Sequence, residues 1–380
     1  MGVKGFDDRQ VPVAIGSLLI VIAVMVCIIL FGKTTKIPTK ETTTTPDVPV
    51  TTEQNQTTTT TTTEYTRATT EAQEYRNTGS IIIQGNRAME IWGKNEPGLL
   101  RYTGYICSFA EKVSNATVYM LLAPTSIEFY GPEDYHTGKN SQKAGIKVAY
   151  DAVTASNVKT VDAYKEIERY VDEEYIYFRT DHHWTARGAY HAYVAFSKVA
   201  GFEPIPLEGR KSGKFDTFLG TLYAWSNKPA ALSNDPDYLE YFYPKTETTA
   251  FRYPNGFIRD EEAISMEVVN ENPMGGKYTC FIEGDNPVTK ITTGANTGRK
   301  VVLIKESYGN SFAPYLCDHF DEVWVIDPRK VNEKSNEIDL ASFVLTHDIT
   351  DVVFLNYMFA PTTPDYVNPL KKLIGIQTDA

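Results

Sequence analysis

Short apolar runs alternate with helix-like stretches through most of this chain of 380 residues. The runs at 118–124 (VYMLLAP) and 301–305 (VVLIK) are each followed by a stretch of helical character. A strand that is apolar on both faces must be covered on both sides, as happens in a parallel sheet flanked by helices. The pattern therefore predicts an α/β fold of three layers, with a parallel sheet between two layers of helices.

Apolar periodicity and the positions of glycine and proline set the expected element boundaries. We predict strands at 81–85, 88–92, 118–124, 158–162, 301–305, 322–326 and 351–355. We predict helices at 97–113, 141–155, 163–173, 186–200, 311–319, 338–346 and 368–376. Residues 203–298 interrupt this rhythm with scattered aromatics, many turn formers and short candidate strands, such as 278–282 and 290–293. This segment is predicted to be a β-rich or irregular insertion that shapes a substrate groove.

Two segments of different character precede the globular domain, which is predicted at 79–380. Residues 11–32 carry no charge and are long enough to cross ~30 Å of hydrocarbon as a helix. A cleaved signal peptide is the alternative, but the run is long for one and no small-x-small cleavage site follows it. We therefore predict a short cytoplasmic tail at 1–10 and a single transmembrane anchor at 11–32.

Residues 33–78 are dominated by threonine with proline, glutamate and glutamine, and include an uninterrupted threonine run at 57–63. Such a tract cannot offset its chain entropy by burial, so it is predicted to be a disordered linker. More basic residues follow the anchor than precede it, and by the positive-inside rule this difference favours a cytoplasmic C-terminal side. A Thr/Pro stalk beside an anchor is nevertheless typical of an exported domain. We expect the C-terminal domain to be extracytoplasmic, on a stalk that either carries O-linked sugars or is unmodified.

The acidic balance of the chain excludes one class of partner. A net charge of −11 and a pI near 5.2 provide no basic stripe for binding nucleic-acid phosphates. Cys27 lies in the predicted anchor, and Cys107, Cys280 and Cys317 are widely spaced, without a disulfide framework or zinc-ligand spacing. We predict no nucleic-acid partner, no metal and no cofactor.

The densest chemistry lies at 181–184, where an acid, two imidazoles and an indole are consecutive. Residues two apart in an extended segment point to the same face, so Asp181 and His183 can act together while His182 points away. A hydroxyl nucleophile needs an imidazole base, and that base works best when a carboxylate orients it. The adjacent histidines also permit a metal site, with His191 as a further ligand, although no other ligand has suitable spacing.

Ser307 is the expected partner of this loop. It follows the apolar strand at 301–305, and Gly309 and Asn310 permit a turn into the next helix. A serine at such a junction presents its hydroxyl outward, close to helix N-terminal amides that can stabilise an oxyanion. Serine is also a routine turn and N-cap residue. The prediction of a nucleophile therefore depends on a base being brought to it.

These segments carry a family resemblance. TDHHWT at 180–185, the strand ending in proline at 118–124, KESYGNS at 305–311 and the D-x-x-x-x-I-D-P-R pattern at 321–329 resemble the bacterial DHHW protein family. That family is similar to the SGNH-hydrolase-like domains of the alginate O-acetylation proteins AlgX and AlgJ. The resemblance covers the chain from about Ser80 to its end, and the middle insertion matches least.

The resemblance implies a circularly permuted SGNH-hydrolase-like fold, because the acid and base precede the serine in the chain. It implies that Asp181 is the acid, His183 the base and Ser307 the nucleophile. Asn356 ends a strand where such folds place an asparagine that donates to the oxyanion, so it is our candidate beside the Ser307 amide. An asparagine that only caps the strand end is the alternative. Lys305-Glu306-Ser307 stands where the usual pattern has Gly-Asp-Ser. This difference affects what the resemblance implies about the oxyanion geometry more than what it implies about the triad.

Arg329, Trp184 and Tyr308 are our candidates for substrate binding, and the polar turn at 284–287 would suit a groove wall. The resemblance implies an extracytoplasmic O-acetyltransferase that acts on a cell-surface or secreted polysaccharide through an acyl-serine intermediate. Its partners would be a glycan acceptor and a membrane-bound O-acyltransferase. A carbohydrate acetylesterase with the same triad is one alternative. A non-catalytic glycan-binding or scaffold protein of a cell-envelope acetylation complex is the other, since fold does not guarantee turnover.

Overall fold

The computed structural model describes residues 75–256, 258–331 and 338–376. The strands are β1 (Tyr75–Asn77), β2 (Ile81–Gln84), β3 (Arg87–Glu90), β4 (Thr117–Ala123), β5 (Val158–Val161), β6 (Ser212–Phe218), β7 (Asp237–Phe242), β8 (Thr248–Tyr253), β9 (Ile264–Met266), β10 (Val288–Thr293), β11 (Lys300–Lys305), β12 (Glu322–Ile326) and β13 (Asp351–Tyr357). The α-helices are α1 (Glu96–Lys112), α2 (Ser126–Tyr130), α3 (Gln142–Asp151), α4 (Ala163–Glu168), α5 (Ala186–Ala200), α6 (Thr221–Trp225), α7 (Ala230–Ser233), α8 (Tyr308–Leu316), α9 (Leu340–Thr346) and α10 (Pro364–Leu373).

An eight-stranded sheet forms the centre of the domain, in the order β5-β4-β13-β11-β12-β10-β8-β9. The first five of these strands run parallel, and β10, β8 and β9 add an antiparallel edge. The central strands are apolar and buried over nearly their whole length, as parallel strands covered on both faces must be. The predicted strands at these positions are confirmed.

Helices cover both faces of this sheet. Phe109 of α1 contacts Phe354 of β13, with ring centroids 5.5 Å apart, and Phe196 of α5 contacts Tyr119 of β4 at 5.0 Å. Phe354 pairs in register with Met120, the neighbour of Tyr119, so these two contacts lie on opposite faces of the sheet. The predicted three-layer α/β architecture is therefore confirmed for the described residues.

The helix that follows the histidine segment is bounded by strong local signals. The Thr185 side chain accepts a hydrogen bond from the Gly188 N–H, and Gly201 ends α5 with φ of 81°. Threonine is a favoured N-cap, and glycine adopts the left-handed conformation of a helix end at low cost. The predicted helix 186–200 therefore agrees with α5 at both ends, and α5 begins directly after Trp184.

The segment 203–298 is β-rich, as predicted, but much of it is continuous with the main sheet. Its strands β8, β9 and β10 extend that sheet, while β6 and β7 form a separate antiparallel ribbon. The predicted strand at 278–282 is wrong, because Lys277–Cys280 forms a 3-10 turn. Gly276, the residue just before that turn, has φ of 107°, a conformation that glycine adopts readily.

The predicted tail at 1–10, the anchor at 11–32 and the linker up to residue 74 lie outside the described residues. The predicted linker end at 78 is wrong, because β1 pairs antiparallel with β2 through Tyr75 and Gln84. Tyr75–Asn77 forms a strand because its backbone pairs with β2. The polar local sequence gives no sign of this pairing. Among the residues that the structure describes, none of the helices has the length and apolar character needed to span a membrane.

Candidate active site

A loop at the carboxyl edge of the sheet presents Asp181 and His183. Its two arms are held together by the Thr185 N–H, which donates to the Ile176 carbonyl at 2.8 Å, and by a bridge between Tyr177 and Trp184. In parallel sheets this edge is where ligand sites form, because the loops that follow neighbouring strands meet there. The loop lies beside the end of β11, which leads into Ser307.

Asp237, which is fully buried, anchors the first half of this loop from β7. Its carboxylate accepts hydrogen bonds from the Thr180 N–H at 2.8 Å and from the Thr180 hydroxyl at 2.6 Å. The Arg179 N–H also donates to it, and so does the Tyr175 hydroxyl. A carboxylate with this many donors rigidly positions the residues that precede Asp181.

Asp181, His183 and Ser307 form a continuous hydrogen-bonded chain. His183 Nδ1 lies 2.6 Å from Asp181 Oδ1, and His183 Nε2 lies 2.7 Å from Ser307 Oγ. The Nδ1–H tautomer lets the imidazole donate to the carboxylate and accept from the serine hydroxyl. This is the geometry in which a carboxylate orients a base that can remove a proton from a nucleophile. The structure thus brings together the three residues that the sequence analysis singled out.

The other oxygen of Asp181 is held by Thr221, the first residue of α6. The Thr221 N–H donates to Asp181 Oδ2 at 2.8 Å, and the Thr221 hydroxyl donates at 3.1 Å. Burial alone would raise the pKa of the Asp181 carboxyl, but His183, His182 and the Thr221 N–H together hold this pKa well below its usual range. Asp181 is therefore an anion that can stabilise an imidazolium on His183. No local sequence signal predicts Thr221 in this role.

Gly220 permits the close approach of Thr221 to Asp181. A Cβ atom added at Gly220 would lie 2.2 Å from the Asp181 carboxylate oxygen. We predict that Gly220→Ala displaces the carboxylate and lowers turnover about 10²-fold, the cost typical of an ångström-scale misplacement of a catalytic group. Steady-state hydrolysis of an acetyl ester measures this effect. Gly93→Ala is the matched control, because a Cβ there meets nothing within 4 Å; equal activity of the two variants would contradict the prediction.

His182 does not point away from His183 as predicted. The segment bends here, so the two imidazole rings lie 3.8 Å apart between centroids, and His182 Nδ1 lies 2.6 Å from Thr221 Oγ1. Burial, followed by the neighbouring His183, lowers the pKa of His182 to about 3. His182 is therefore neutral near pH 7, and it covers one face of the His183 imidazole.

The alternative of a metal site has a partial geometric basis. Among the described residues, Asp181, His182 and His183 place potential ligand atoms within 4.8 Å of one another. Their hydrogen bonds already commit these atoms to each other, to Thr221 and to Ser307. His191 does not join the group, because its Nε2 lies 3.2 Å from Glu174 Oε1 and its ring stacks on Tyr170. The donor set fits a proton-transfer chain better than a coordination shell.

The structure contradicts the substrate-binding roles predicted for Trp184 and Tyr308, because both side chains are fully buried. Trp184 Nε1 donates to the Tyr308 carbonyl and to Ser311 Oγ, each at 3.0 Å. The Tyr308 hydroxyl donates to the His182 carbonyl at 2.5 Å. These side chains join the histidine loop to the start of α8 and thereby set the distance between His183 and Ser307.

Asn356 is not brought to the triad. Its side chain is fully buried toward α1, where Asn356 Oδ1 accepts a hydrogen bond from the Tyr102 hydroxyl at 2.5 Å. Its Nδ2 is buried and has no hydrogen-bond partner, Ser307 included, among the described residues. Alternate residues of a strand point to opposite faces, and this parity turns Asn356 into the core. The oxyanion role predicted for Asn356 is therefore wrong in this structure, which leaves the Ser307 amide as the candidate donor.

Arg329 belongs to a network of four charged side chains below the site. It donates to both oxygens of Asp327, at 2.9 and 2.7 Å, and to Asp285 Oδ2 at 2.8 Å. The fully buried Lys305 donates to the same two carboxylates at 3.0 and 3.2 Å. Burial would raise the pKa of Asp285, but Lys305 and Arg329 hold it well below its usual range. The network links the polar turn at 284–287 to β11. The Arg329 side chain is 29% exposed to solvent. Substrate binding by Arg329 stays a prediction.

Tyr278 is a site residue that the sequence analysis missed. Its ring stacks on His183, with centroids 4.0 Å apart and the planes at 14°, and its hydroxyl donates to the Ser307 carbonyl at 3.2 Å. The His183 imidazole thus lies between Tyr278 and His182. The nearby Ile282 and Glu283 both have positive φ, of 45° and 52°, a conformation that is unfavourable for a β-branched residue. Only the fold brings this loop to the triad, so no motif could have revealed it.

Two further acids lie close to the triad. Glu306 is buried and accepts hydrogen bonds from the Tyr308 and Tyr357 N–H groups at 3.0 and 2.9 Å. Burial raises the pKa of Glu306. Burial is also the main cause that raises the pKa of Glu90 from 4.5 to about 7; His183 opposes this rise, and the charges of Asp181 and Glu306 add to it. Glu90 ends β3, so the small sheet of β1 to β3 contributes to the electrostatics of the site.

The Glu90 carboxyl makes the stability of the fold depend on pH. The pKa of this carboxyl is higher in the folded state than in the unfolded state. Its contribution to the free energy of unfolding is therefore fully present below the unfolded pKa and is lost as pH rises through about 7. Between pH 4.5 and pH 8, we expect the free energy of unfolding of the wild type to fall by up to about 3 kcal/mol relative to that of Glu90→Gln. Urea unfolding at several pH values measures this difference. The exposed Glu133→Gln serves as control, and a pH-independent difference between wild type and Glu90→Gln would contradict the prediction.

The fold and the site define a class of protein, in which a largely parallel α/β sheet carries a hydrogen-bonded Ser-His-Asp arrangement at its carboxyl edge. Within that class, the chain belongs to the DHHW family, whose family model, described as "DHHW protein", matches residues 40–326. A DHHW family protein from Eubacterium siraeum is 30% identical, with a TM-score of 0.71 over 81% of this chain and 99% of that one. The predicted family membership is confirmed.

More distant structures are also similar to this chain, and of the two that follow PatB1 shares the fold. PatB1 from Bacillus cereus, solved with a sulfonyl adduct, is 16% identical, with a TM-score of 0.59 over 75% of this chain and 95% of that one. The O-acetyltransferase domain of AlgJ from Pseudomonas putida is 13% identical, with a TM-score of 0.44 over 78% of this chain and 97% of that one. A comparison with curated protein sequences finds no match.

Proposed function

We propose that this protein is an extracytoplasmic O-acetyltransferase that modifies hydroxyl groups of a cell-surface or secreted polysaccharide through an acyl-serine intermediate. The observation that carries the proposal is the hydrogen-bonded chain from Ser307 through His183 to Asp181, with distances of 2.7 and 2.6 Å. The family membership and the acidic character of the chain agree with it. The predicted anchor and linker would hold the domain outside the membrane, beside a membrane-bound O-acyltransferase that supplies acyl groups.

In the first half-reaction, Ser307 Oγ attacks the acetyl carbonyl of the donor while His183 Nε2 takes the hydroxyl proton. The Ser307 N–H, at the start of α8, donates to the oxyanion that develops on the carbonyl oxygen. The bond between carbonyl carbon and leaving group then breaks, and His183 returns its proton to the leaving group. Asp181 accepts from His183 Nδ1 throughout and stabilises the transient imidazolium.

The second half-reaction reverses these roles. A sugar hydroxyl gives its proton to His183 Nε2 and attacks the acetyl carbon on Ser307. The ester bond to Ser307 Oγ breaks, and His183 donates the proton back to that oxygen. If water takes the place of the sugar, the same groups perform ester hydrolysis, so the triad alone supports both a transferase and an esterase.

Product analysis separates these activities. The purified full-length chain in detergent micelles is incubated with 4-nitrophenyl acetate, with and without soluble oligosaccharides. We expect release of 4-nitrophenol, an acetylated Ser307 peptide in mass spectra, and acetyl esters on the oligosaccharide. Acetate as the sole product at every acceptor concentration identifies an esterase. Absence of both turnover and the Ser307 adduct would refute the catalytic proposal in favour of glycan binding.

A further inference from the structure

One tryptophan of the described domain stands apart from the others by its exposure. Trp92, Trp184 and Trp324 are at most 2% exposed, whereas Trp225 is 57% exposed. Exposure of a large aromatic ring costs hydrophobic free energy in water, so such a ring merits an explanation when it lies beside a reactive site. Trp225 ends α6, the same short helix whose first residue, Thr221, holds the Asp181 carboxylate.

The exposed ring is joined to the triad by stacked rings. The Trp225 indole stacks on His182, with centroids 5.4 Å apart and the planes at 21°, and His182 covers His183 at 3.8 Å. His182 therefore covers one face of the indole, while Trp225 as a whole keeps 57% of its surface exposed to solvent. Two ring-to-ring steps separate it from the base, a span that neighbouring sugars of one glycan chain can bridge.

The segment that carries Trp225 is anchored. The Tyr223 N–H donates to the Thr180 carbonyl at 2.9 Å, and Leu222 is buried in a small cluster with Ile81 and Ile83 of β2. After the helix, Asn227 and Lys228 have positive φ, of 65° and 51°, and the Lys228 N–H donates to the Tyr223 carbonyl at 2.9 Å. A rigid, amphipathic aromatic side chain on a fixed support loses little conformational entropy when it binds a ligand.

We propose that Trp225 is the platform of a subsite for one pyranose unit of the glycan acceptor, a unit adjacent to the one whose hydroxyl reaches Ser307. The apolar C–H face of a pyranose ring packs on the open face of the indole, while the sugar hydroxyls remain in solvent. This assignment deepens the proposed acetyl transfer and rests on it. Trp225 stacks on His182 and not on a residue of the triad, so its expected effect is on acceptor binding.

The test compares Trp225→Ala and Trp225→Phe with wild type in the full-length chain, with cellohexaose and chitohexaose as soluble acceptors. Trp225→Ala is expected to raise KM for the oligosaccharide acceptor about tenfold, within the range measured for aromatic stacking, with kcat little changed. Trp225→Phe should restore most of the affinity. The rate at which phenylmethylsulfonyl fluoride modifies Ser307 should be the same in all three proteins. Leu345→Ala, which removes a side chain of 51% exposure on α9, is the matched control.

A fluorescence measurement reports the same contact without turnover. Because Trp225 is the exposed tryptophan, acrylamide should quench mainly its emission, and an oligosaccharide that binds should protect it in a Ser307→Ala background. Unchanged KM in Trp225→Ala, or quenching that neither oligosaccharide alters, would overturn the platform. Failure of the acetyl-transfer proposal is separately visible, because wild type would then form no adduct at Ser307.

Discussion

Replacement of Ser307 by alanine is expected to abolish both the acyl-enzyme and turnover. The acetyl group would be attached to the hydroxyl oxygen of Ser307, and His183 Nε2 lies 2.7 Å from that oxygen. Loss of the nucleophile in such a unit lowers kcat about 10⁶-fold. The measurement is hydrolysis of 4-nitrophenyl acetate together with mass spectrometry of the peptide that contains residue 307.

Ser311→Ala provides the matched control for this variant. Ser311 lies in the first turn of α8, four residues after Ser307, and is buried. Its hydroxyl accepts from Trp184 Nε1 at 3.0 Å and makes no hydrogen bond to His183 among the described residues. Ser311→Ala should keep the adduct at Ser307 and lose some stability. A sulfonyl fluoride, which reacts with an activated serine hydroxyl, is a suitable second probe of Ser307. Adduct formation in Ser307→Ala at the wild-type rate would mean that another residue is the nucleophile.

Asp181→Asn is expected to cost about 10⁴-fold in kcat while the fold persists. The carboxylate receives donors on both oxygens, with the His183 N–H at 3.0 Å from Oδ1 and the Thr221 N–H at 2.8 Å from Oδ2. Whichever way an amide turns, its NH₂ group faces one of these N–H groups. The negative charge that supports the His183 imidazolium is lost as well, so proton transfer from Ser307 becomes unfavourable.

The readout combines turnover with thermal unfolding, because a fold defect and a catalytic defect must be distinguished. Asp216→Asn is the matched control, since that carboxylate is largely exposed and pairs with Lys214 away from the triad. A folded Asp181→Asn protein with turnover within tenfold of wild type would show that the carboxylate does not orient the base.

The errors of the sequence analysis have a common origin. The predicted strand at 278–282 is a turn, and Trp184 and Tyr308 are buried spacers instead of substrate contacts. Asn356 lies one residue before the end of β13, close to the predicted strand end, yet its side chain faces the core. In each case the residue type was compatible with two roles. Packing against elements distant in the chain selected one of them, and a local pattern carries no information about that choice.

The sequence by itself determined the apolar strands of the central sheet, the ends of α5 and the pairing of Asp181 with His183. These features depend on interactions within a few residues, such as the Thr185 cap and the bond from the His183 N–H to Asp181. The tertiary structure alone brought Ser307 to His183 across 124 residues and placed Thr221, Tyr278 and Trp225 around them. Contacts of that kind exist only once the sheet has assembled, because the free energy that holds them comes from burial shared among all of its strands and helices.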